Sequence, residues 1–342
     1  MATPTTVVQP PSGKKTACVI GGTGFVASRL VKLLLENGYS VRTTVRNPDN
    51  QRRISHLMPL KELGELEIFA AELTDEESFI APVAGSDLVF LVATPVNFAS
   101  KDPENDMIKP AIQGVENVLK ACAKAKTVKR VVLTSSAAAV TINNVEGTGL
   151  VMDENNWTNV QFLTSHKPPT WGYAVSKTLA EKAAWKFAEE NKIDLVTVIP
   201  SLVAGPPLTA DVPSSINLAL SMLTGNEMLI NGLKGMEKLS GSISITHVED
   251  VCRAHLFVAE KESASGRFIC CAANTSVAKL AKFFSLRYPQ YKVQPQIGDV
   301  PEHAKLTISS EKLIGEGFSF KHGLEEIYDE TVEYFKAVGN LK

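Results

Sequence analysis

From residue 16 onward the chain alternates short apolar runs with amphipathic ones. The runs at 16–20, 39–45, 66–70, 87–93, 128–134 and 193–199 read as strands, and 87–93, D-L-V-F-L-V-A, is nearly continuously apolar, as a parallel strand buried on both faces should be. The stretch R-L-V-K-L-L-L-E-N-G after Ser28 reads as a helix that stops at Gly38. Residues 107–125 read as another, because Ile108, Ile112, Val115 and Leu119 recur at helical spacing. Residues 172–184, G-Y-A-V-S-K-T-L-A-E-K-A-A, are rich in Ala, Leu, Glu and Lys and predict a third. This alternation predicts a Rossmann-type α/β fold, an open parallel sheet with right-handed crossovers and helices on both faces. After Pro200 the pattern breaks into a proline-rich loop, then a helix over 216–224. A strand at 242–246, a helix at 248–260 and a strand at 267–271 are expected to pack back onto the first domain. Amphipathic helices follow at 276–288 and 324–335, separated by turn-rich 298–301 and the strand-like K-L-T-I. Residues 153–169 show no period and read as a loop.

The expected division is a flexible tail over 1–15, a first domain over 16–200 joined by 242–271, and a smaller C-terminal lobe over 201–241 and 272–342. The apolar residues of the proline-rich loop suit a flat aromatic ligand. Composition narrows the class further. With 35 basic against 37 acidic residues among 342, and no basic face, a nucleic-acid partner is not expected. Five cysteines, including the adjacent Cys270 and Cys271, match neither a disulfide framework nor a zinc site and suggest a reducing compartment. The first residues lack the order of a signal peptide, and no apolar run approaches a membrane span, so a cytoplasmic protein without membrane insertion is expected. His247 and His303 read as structural, because no second ligand stands near either at metal spacing, and no metal is expected. The oligomeric state stays open, a monomer being one option.

Candidate chemistry begins directly after the first strand. Gly21, Gly24 and Ala27 occupy the small-residue positions of a turn that lets Gly21, Thr23, Gly24, Phe25 and Val26 approach a pyrophosphate at a helix start. The second strand ends without the Asp or Glu that holds the ribose of NAD. Arg46 stands there instead, with Arg52 and Arg53 following, and guanidinium groups suit a 2'-phosphate, so NADP is favoured. Glu72 and Leu73, past the third strand, are expected at the adenine. Ala93, Thr94 and Pro95 line the fourth strand's exit, and Pro200 and Val203 complete the cofactor lining. Ser135 and Ser136 follow the fifth strand at its carboxyl end, where such sheets hold ligands. Tyr173 and Lys177, four apart on the third helix, share one face, and the lysine's charge is expected to favour the phenolate.

Taken together, G-G-T-G-F-V-A and Y-A-V-S-K make the sequence similar to extended short-chain dehydrogenases/reductases. Y-S-V-R-T-T-V-R-N-P, R-V-V-L-T-S-S-A-A-A-V, I-P-S-L-V-A-G-P and T-H-V-E-D-V-C-R-A-H resemble the plant dihydroflavonol reductase group. The resemblance spans almost the whole chain. It implies a catalytic trio of Ser136, Tyr173 and Lys177, NADPH as cofactor with Arg46 and Arg53 on its 2'-phosphate, and a flavonoid substrate held by Ser136, Thr141 and Tyr173. Two departures matter: Thr141 stands where the group usually has a substrate-holding Asn, and residues 226–245 are longer and lack its substrate-contacting Gln. Both point to the branch acting on anthocyanidins, with an epicatechin-type product. Dihydroflavonol or cinnamoyl-type carbonyl reduction, and a non-catalytic NADP-binding regulator, are the alternatives.

Overall fold

The computed structural model describes residues 14–143, 147–296, 298 and 300–341. Most of the expected N-terminal tail therefore lies outside the described residues, as do two positions within 297–299. In chain order the strands are β1 (Thr16–Ile20), β2 (Ser40–Val45), β3 (Leu66–Ala70), β4 (Leu88–Leu91), β5 (Arg130–Thr134), β6 (Leu150–Met152), β7 (Leu195–Pro200), β8 (Leu202–Ala204), β9 (Ile243–His247), β10 (Gly266–Cys270), β11 (Ala273–Thr275) and β12 (Leu306–Ile308). Seven of them form one sheet in the order β10-β7-β5-β4-β1-β2-β3, every neighbouring pair parallel. The chain runs outward from β1 through β2 to β3, then crosses back to lay β4 on the other side of β1. That reversal opens a crevice at the carboxyl ends of β1 and β4.

Both faces of the sheet are covered. On one, Leu30, Val31 and Leu34 of helix Phe25–Glu36 and Val251 and Val258 of helix Val248–Glu260 pack on Val19, Val132 and Val198. On the other, helices Lys109–Ala125 and Trp171–Asn191 cover Cys18, Val89 and Val131. The second of these helices contributes Ala180, Ala184 and Ala188, spaced one turn apart, whose small side chains let the pair close in on the sheet. Its central residues are buried nearly all round, from Ala174 to Thr178. The second lobe carries its own core, Ile230, Leu233, Leu280, Phe284 and Tyr328 packing on Ile243 and Ile245 of a small β11-β9-β8 sheet.

Three sequence expectations are corrected, and a stretch that carried no expected element gains one. Residues 153–169 are not all loop, since helix Val160–His166 starts there with the Asn159 side chain capping Phe162 N–H at 2.9 Å. Within 226–245 helix Glu227–Ser240 runs from an Asn226 cap to Gly241, whose φ of 81° ends it. The proline-rich loop contains β8, and the helix expected over 216–224 is two short ones, Ser214–Ala219 and Ser221–Thr224. Among the described residues no helix is long and apolar enough to cross a membrane. All five cysteines are free and buried.

Candidate active site

The glycine turn owes its residues to close approach. Gly21 has φ of 95°, and a Cβ on it would come within 2.8 Å of the Ala93 side chain. A Cβ on Gly22 would run into the Thr43 side chain. The turn is pinned to β2 by Gly21 N–H to Thr44 Oγ1 at 3.0 Å and Gly22 N–H to the Thr44 carbonyl at 2.8 Å. Gly24 caps helix Phe25–Glu36 without any side-chain hydrogen bond, so the first amides, at Phe25 and Val26, face outward as an anion-binding helix start.

Beside this turn lies a hollow lined by Thr23, Phe25, Arg52, Arg53, His56 and residues 209–213 of the second lobe. Arg53 faces it, whereas Arg52 is held by Asp211, Nη2 to Oδ1 2.7 Å. Arg46 is exposed directly beyond β2, with no acid at that strand's end. His56 was not singled out from sequence; burial lowers its pKa, so the imidazole is neutral beside the Gly22 backbone. Ala93, Thr94 and Pro95 are half-buried at the exit of β4. Glu72 is exposed and accepts from Leu73 N–H at 3.1 Å, while the Leu73 side chain turns onto Gly114. Pro200 ends β7, and Val203 is buried where β8 pairs with β9. The cradle, the helix start and the unopposed arginines together fit a dinucleotide bearing a 2'-phosphate.

The two serines after β5 part company. Ser135 is buried, and its hydroxyl donates to Glu181 Oε2 at 2.6 Å. Ser136 is half-buried, accepts from Ala138 N–H at 3.2 Å and hydrogen-bonds the Tyr173 side chain. Tyr173 lies in the first turn of helix Trp171–Asn191, whose Gly172 sits so close to Pro103 that a Cβ would clash. The Phe98 ring lies 5.4 Å from the Tyr173 ring. Lys177 is buried one turn further along, and Nζ donates to the Thr134 carbonyl at 2.8 Å. Ser136, Tyr173 and Lys177 thus converge at the carboxyl end of β5.

Their protonation differs from the spacing argument. Burial raises the Tyr173 phenol above its ordinary value, with the Ser136 hydrogen bond pulling the other way, so this is a protonated acid and not a resident phenolate. Burial also lowers Lys177 to about 8, opposed by the Glu181 carboxylate. Thr141 is buried, and its hydroxyl donates to the Ala137 carbonyl at 3.0 Å. His247 does have neighbours that sequence spacing could not reveal, since its ligand atom, one of Glu249 and one of His322 lie within 4.8 Å of one another. Its Nδ1 accepts from Glu249 N–H at 3.2 Å, so Nε2 carries the hydrogen and points at Glu330 Oε2 3.4 Å away.

The model for the NAD dependent epimerase/dehydratase family matches residues 17–271. The chain belongs to that family. Within it the chain is an extended short-chain dehydrogenase/reductase. It is 75% identical to anthocyanidin reductase ((2S)-flavan-3-ol-forming) of Vitis vinifera over 334 residues, 98% of this chain and 99% of that one. Vestitone reductase from alfalfa, Medicago sativa, shares the fold with a TM-score of 0.81 at 34% identity, covering 96% of this chain and 100% of that one. Yeast methylglyoxal/isovaleraldehyde reductase Gre2, solved with NADPH, gives 0.77 at 26% identity, covering 95% and 100%. This family member is an NADP(H)-binding oxidoreductase, and the glycine cradle and arginine-rich hollow are the parts of the chain that suit that dinucleotide.

Proposed function

We propose that this reductase converts anthocyanidins to flavan-3-ols with NADPH. The observation carrying this reading is the 75% identity to the grapevine anthocyanidin reductase across 98% of the chain. Bound NADPH supplies hydride. An anthocyanidin cation becomes a neutral flavan-3-ol by gaining two hydrides and one proton, so two NADPH are consumed per product, with a flavene-type intermediate between the steps.

The chain's own residues manage the proton and the orientation. Tyr173, kept protonated by burial, gives its hydrogen to an oxygen of the flavonoid, and Ser136, already hydrogen-bonded to that phenol, holds the same oxygen. Lys177, anchored on the Thr134 carbonyl, presents a buried ammonium beside them for the nicotinamide ribose. Gly21 to Val26 hold the pyrophosphate, and Arg46 and Arg53 the 2'-phosphate. The (2S) qualifier of the grapevine relative concerns C2 alone. An epicatechin-type, 2,3-cis product adds a fixed relation to C3, which chiral chromatography reads.

The deciding experiment incubates purified protein with cyanidin or with dihydroquercetin and counts NADPH oxidised per flavan-3-ol formed. Two per product with cyanidin supports the assignment; turnover of dihydroquercetin alone sinks it in favour of dihydroflavonol reduction. Tyr173→Phe is expected to bind NADPH with wild-type affinity and lose roughly 100-fold or more in rate. If the wild type binds NADPH and turns over neither flavonoid, the protein is a regulator.

A further inference from the structure

Behind the catalytic trio lies a buried ionic junction that the reaction as described does not use. Glu181 is 1% exposed, one helical turn beyond Lys177 on the same face. Its Oε2 accepts from Ser135 Oγ at 2.6 Å and its Oε1 from Arg267 Nε at 2.7 Å. Arg267, on β10, reaches on to the carbonyls of Glu154 and Asn156 at 2.6 and 2.7 Å, with its guanidinium 3.6 Å over the Trp157 ring. One carboxylate therefore ties together the serine turn, the tyrosine helix, the edge strand β10 and the segment leading to helix Val160–His166.

We propose that Glu181 is a positioning residue for the reaction, holding the Ser135–Ser136 turn against the tyrosine helix and supplying the negative charge that keeps the buried Lys177 ammonium protonated. This rests on the reading of Lys177 as a group that works in its charged form. A buried carboxylate is unfavourable unless it is paired and hydrogen-bonded, and here its partners include the turn that carries Ser136. Lys177 faces few other titratable groups. Tyr173 on its own helix is neutral, and His255 on helix Val248–Glu260, hydrogen-bonded to Thr134 Oγ1 at 2.7 Å, is neutral with its pKa lowered to about 4. Arg267, held on Glu181 Oε1 at 2.7 Å, offsets part of that carboxylate's charge. Removing the carboxylate would take away the charge that opposes desolvation at Lys177, so its proton would be lost at lower pH.

The test is the pH profile of kcat/KM at saturating NADPH, with whichever flavonoid the wild type reduces, for wild type, Glu181→Gln, Glu181→Asp and Ser135→Ala. The wild-type profile is expected to fall as pH rises through about 8, where Lys177 loses its proton. In Glu181→Gln that limb should move toward acid by about one pH unit, as loss of an opposite charge one helical turn away predicts. Glu181→Asp should restore it, and Ser135→Ala should leave the limb in place while lowering kcat several-fold through Ser136. A limb that stays put in a folded Glu181→Gln protein overturns the proposal. If that variant does not fold, Glu181→Gln combined with Arg267→Met is compared with Arg267→Met alone, and a limb at the same pH in those two overturns it equally. A wild-type profile that is flat through pH 8 defeats the reading of Lys177 as well, without touching the flavonoid assignment.

Discussion

The Tyr173 phenol lies between burial, which raises its pKa, and Ser136, which lowers it, while the nearby lysine hands its hydrogen to a backbone carbonyl. A four-residue spacing makes the two side chains neighbours, but it carries no information on how far each is desolvated. His247 shows the same force acting on stability. It is lowered from 6.5 to about 4, chiefly by burial and then by His322, whose ring stacks on it at 3.9 Å. Between those values the unfolded chain takes up a proton that the folded chain refuses, so stability falls as pH drops from 6.5 toward 4. The thermal midpoint should fall over that window more steeply in wild type than in His247→Asn, whose side-chain oxygen still caps Glu249 N–H. Equal slopes would remove His247 as a cause. Residue identity at Gly21, Arg46, Ser136, Tyr173 and Lys177 was legible from local pattern. Ser136 was singled out from its neighbour by resemblance, while the partners of His247 and the Glu181 contact of Ser135 were not legible, because Glu181 and His322 are dozens of positions away in the chain.

At the scale of elements, the tyrosine helix depends on its first turn fitting against the segment after β4. A Cβ at Gly172 would clash with Pro103 and approach the Met107 methyl at 3.1 Å. Gly172→Ala is expected to cost about 1–3 kcal/mol by overpacking, measured by urea unfolding, and to lower kcat by displacing the adjacent Tyr173. A neutral or stabilising result would mean that helix propensity, which favours Ala, outweighs the clash. The strands of the main sheet were readable because parallel strands buried on both faces leave long apolar runs. Helix Glu227–Ser240 was not, because Gly232 and Gly235 interrupt its pattern, although Asn226 and Gly241 marked its ends. Helix Val160–His166 is too short for a period to emerge, and prolines on both sides concealed β8.

For the whole molecule, the hollow beside the glycine turn is lined by residues of both lobes. Arg29, on the helix after the glycine turn, donates to the Pro206 carbonyl at 2.6 and 3.0 Å, and Arg52 meets Asp211 across the hollow at 2.7 Å. That exposed pair adds at most about 1 kcal/mol of stability. A ligand filling the hollow contributes more, about 2.7 kcal/mol at a hundred times its Kd. NADP+ is therefore expected to raise the thermal midpoint well above the value reached with equal NAD+, and Arg53→Ala to erase most of the difference. Equal stabilisation by the two would contradict a 2'-phosphate site. The five thiols give the molecule a practical property. Desolvation pushes Cys271 up to about 11 and Cys122 up to about 12, and it raises Cys18, Cys252 and Cys270 as well. Thiolate is the reactive form, so at neutral pH the native chain offers almost none to alkylating dyes. A single cysteine introduced on the surface of either lobe can carry a fluorophore while the natural five stay in place, and lobe movement can be followed in otherwise unaltered protein.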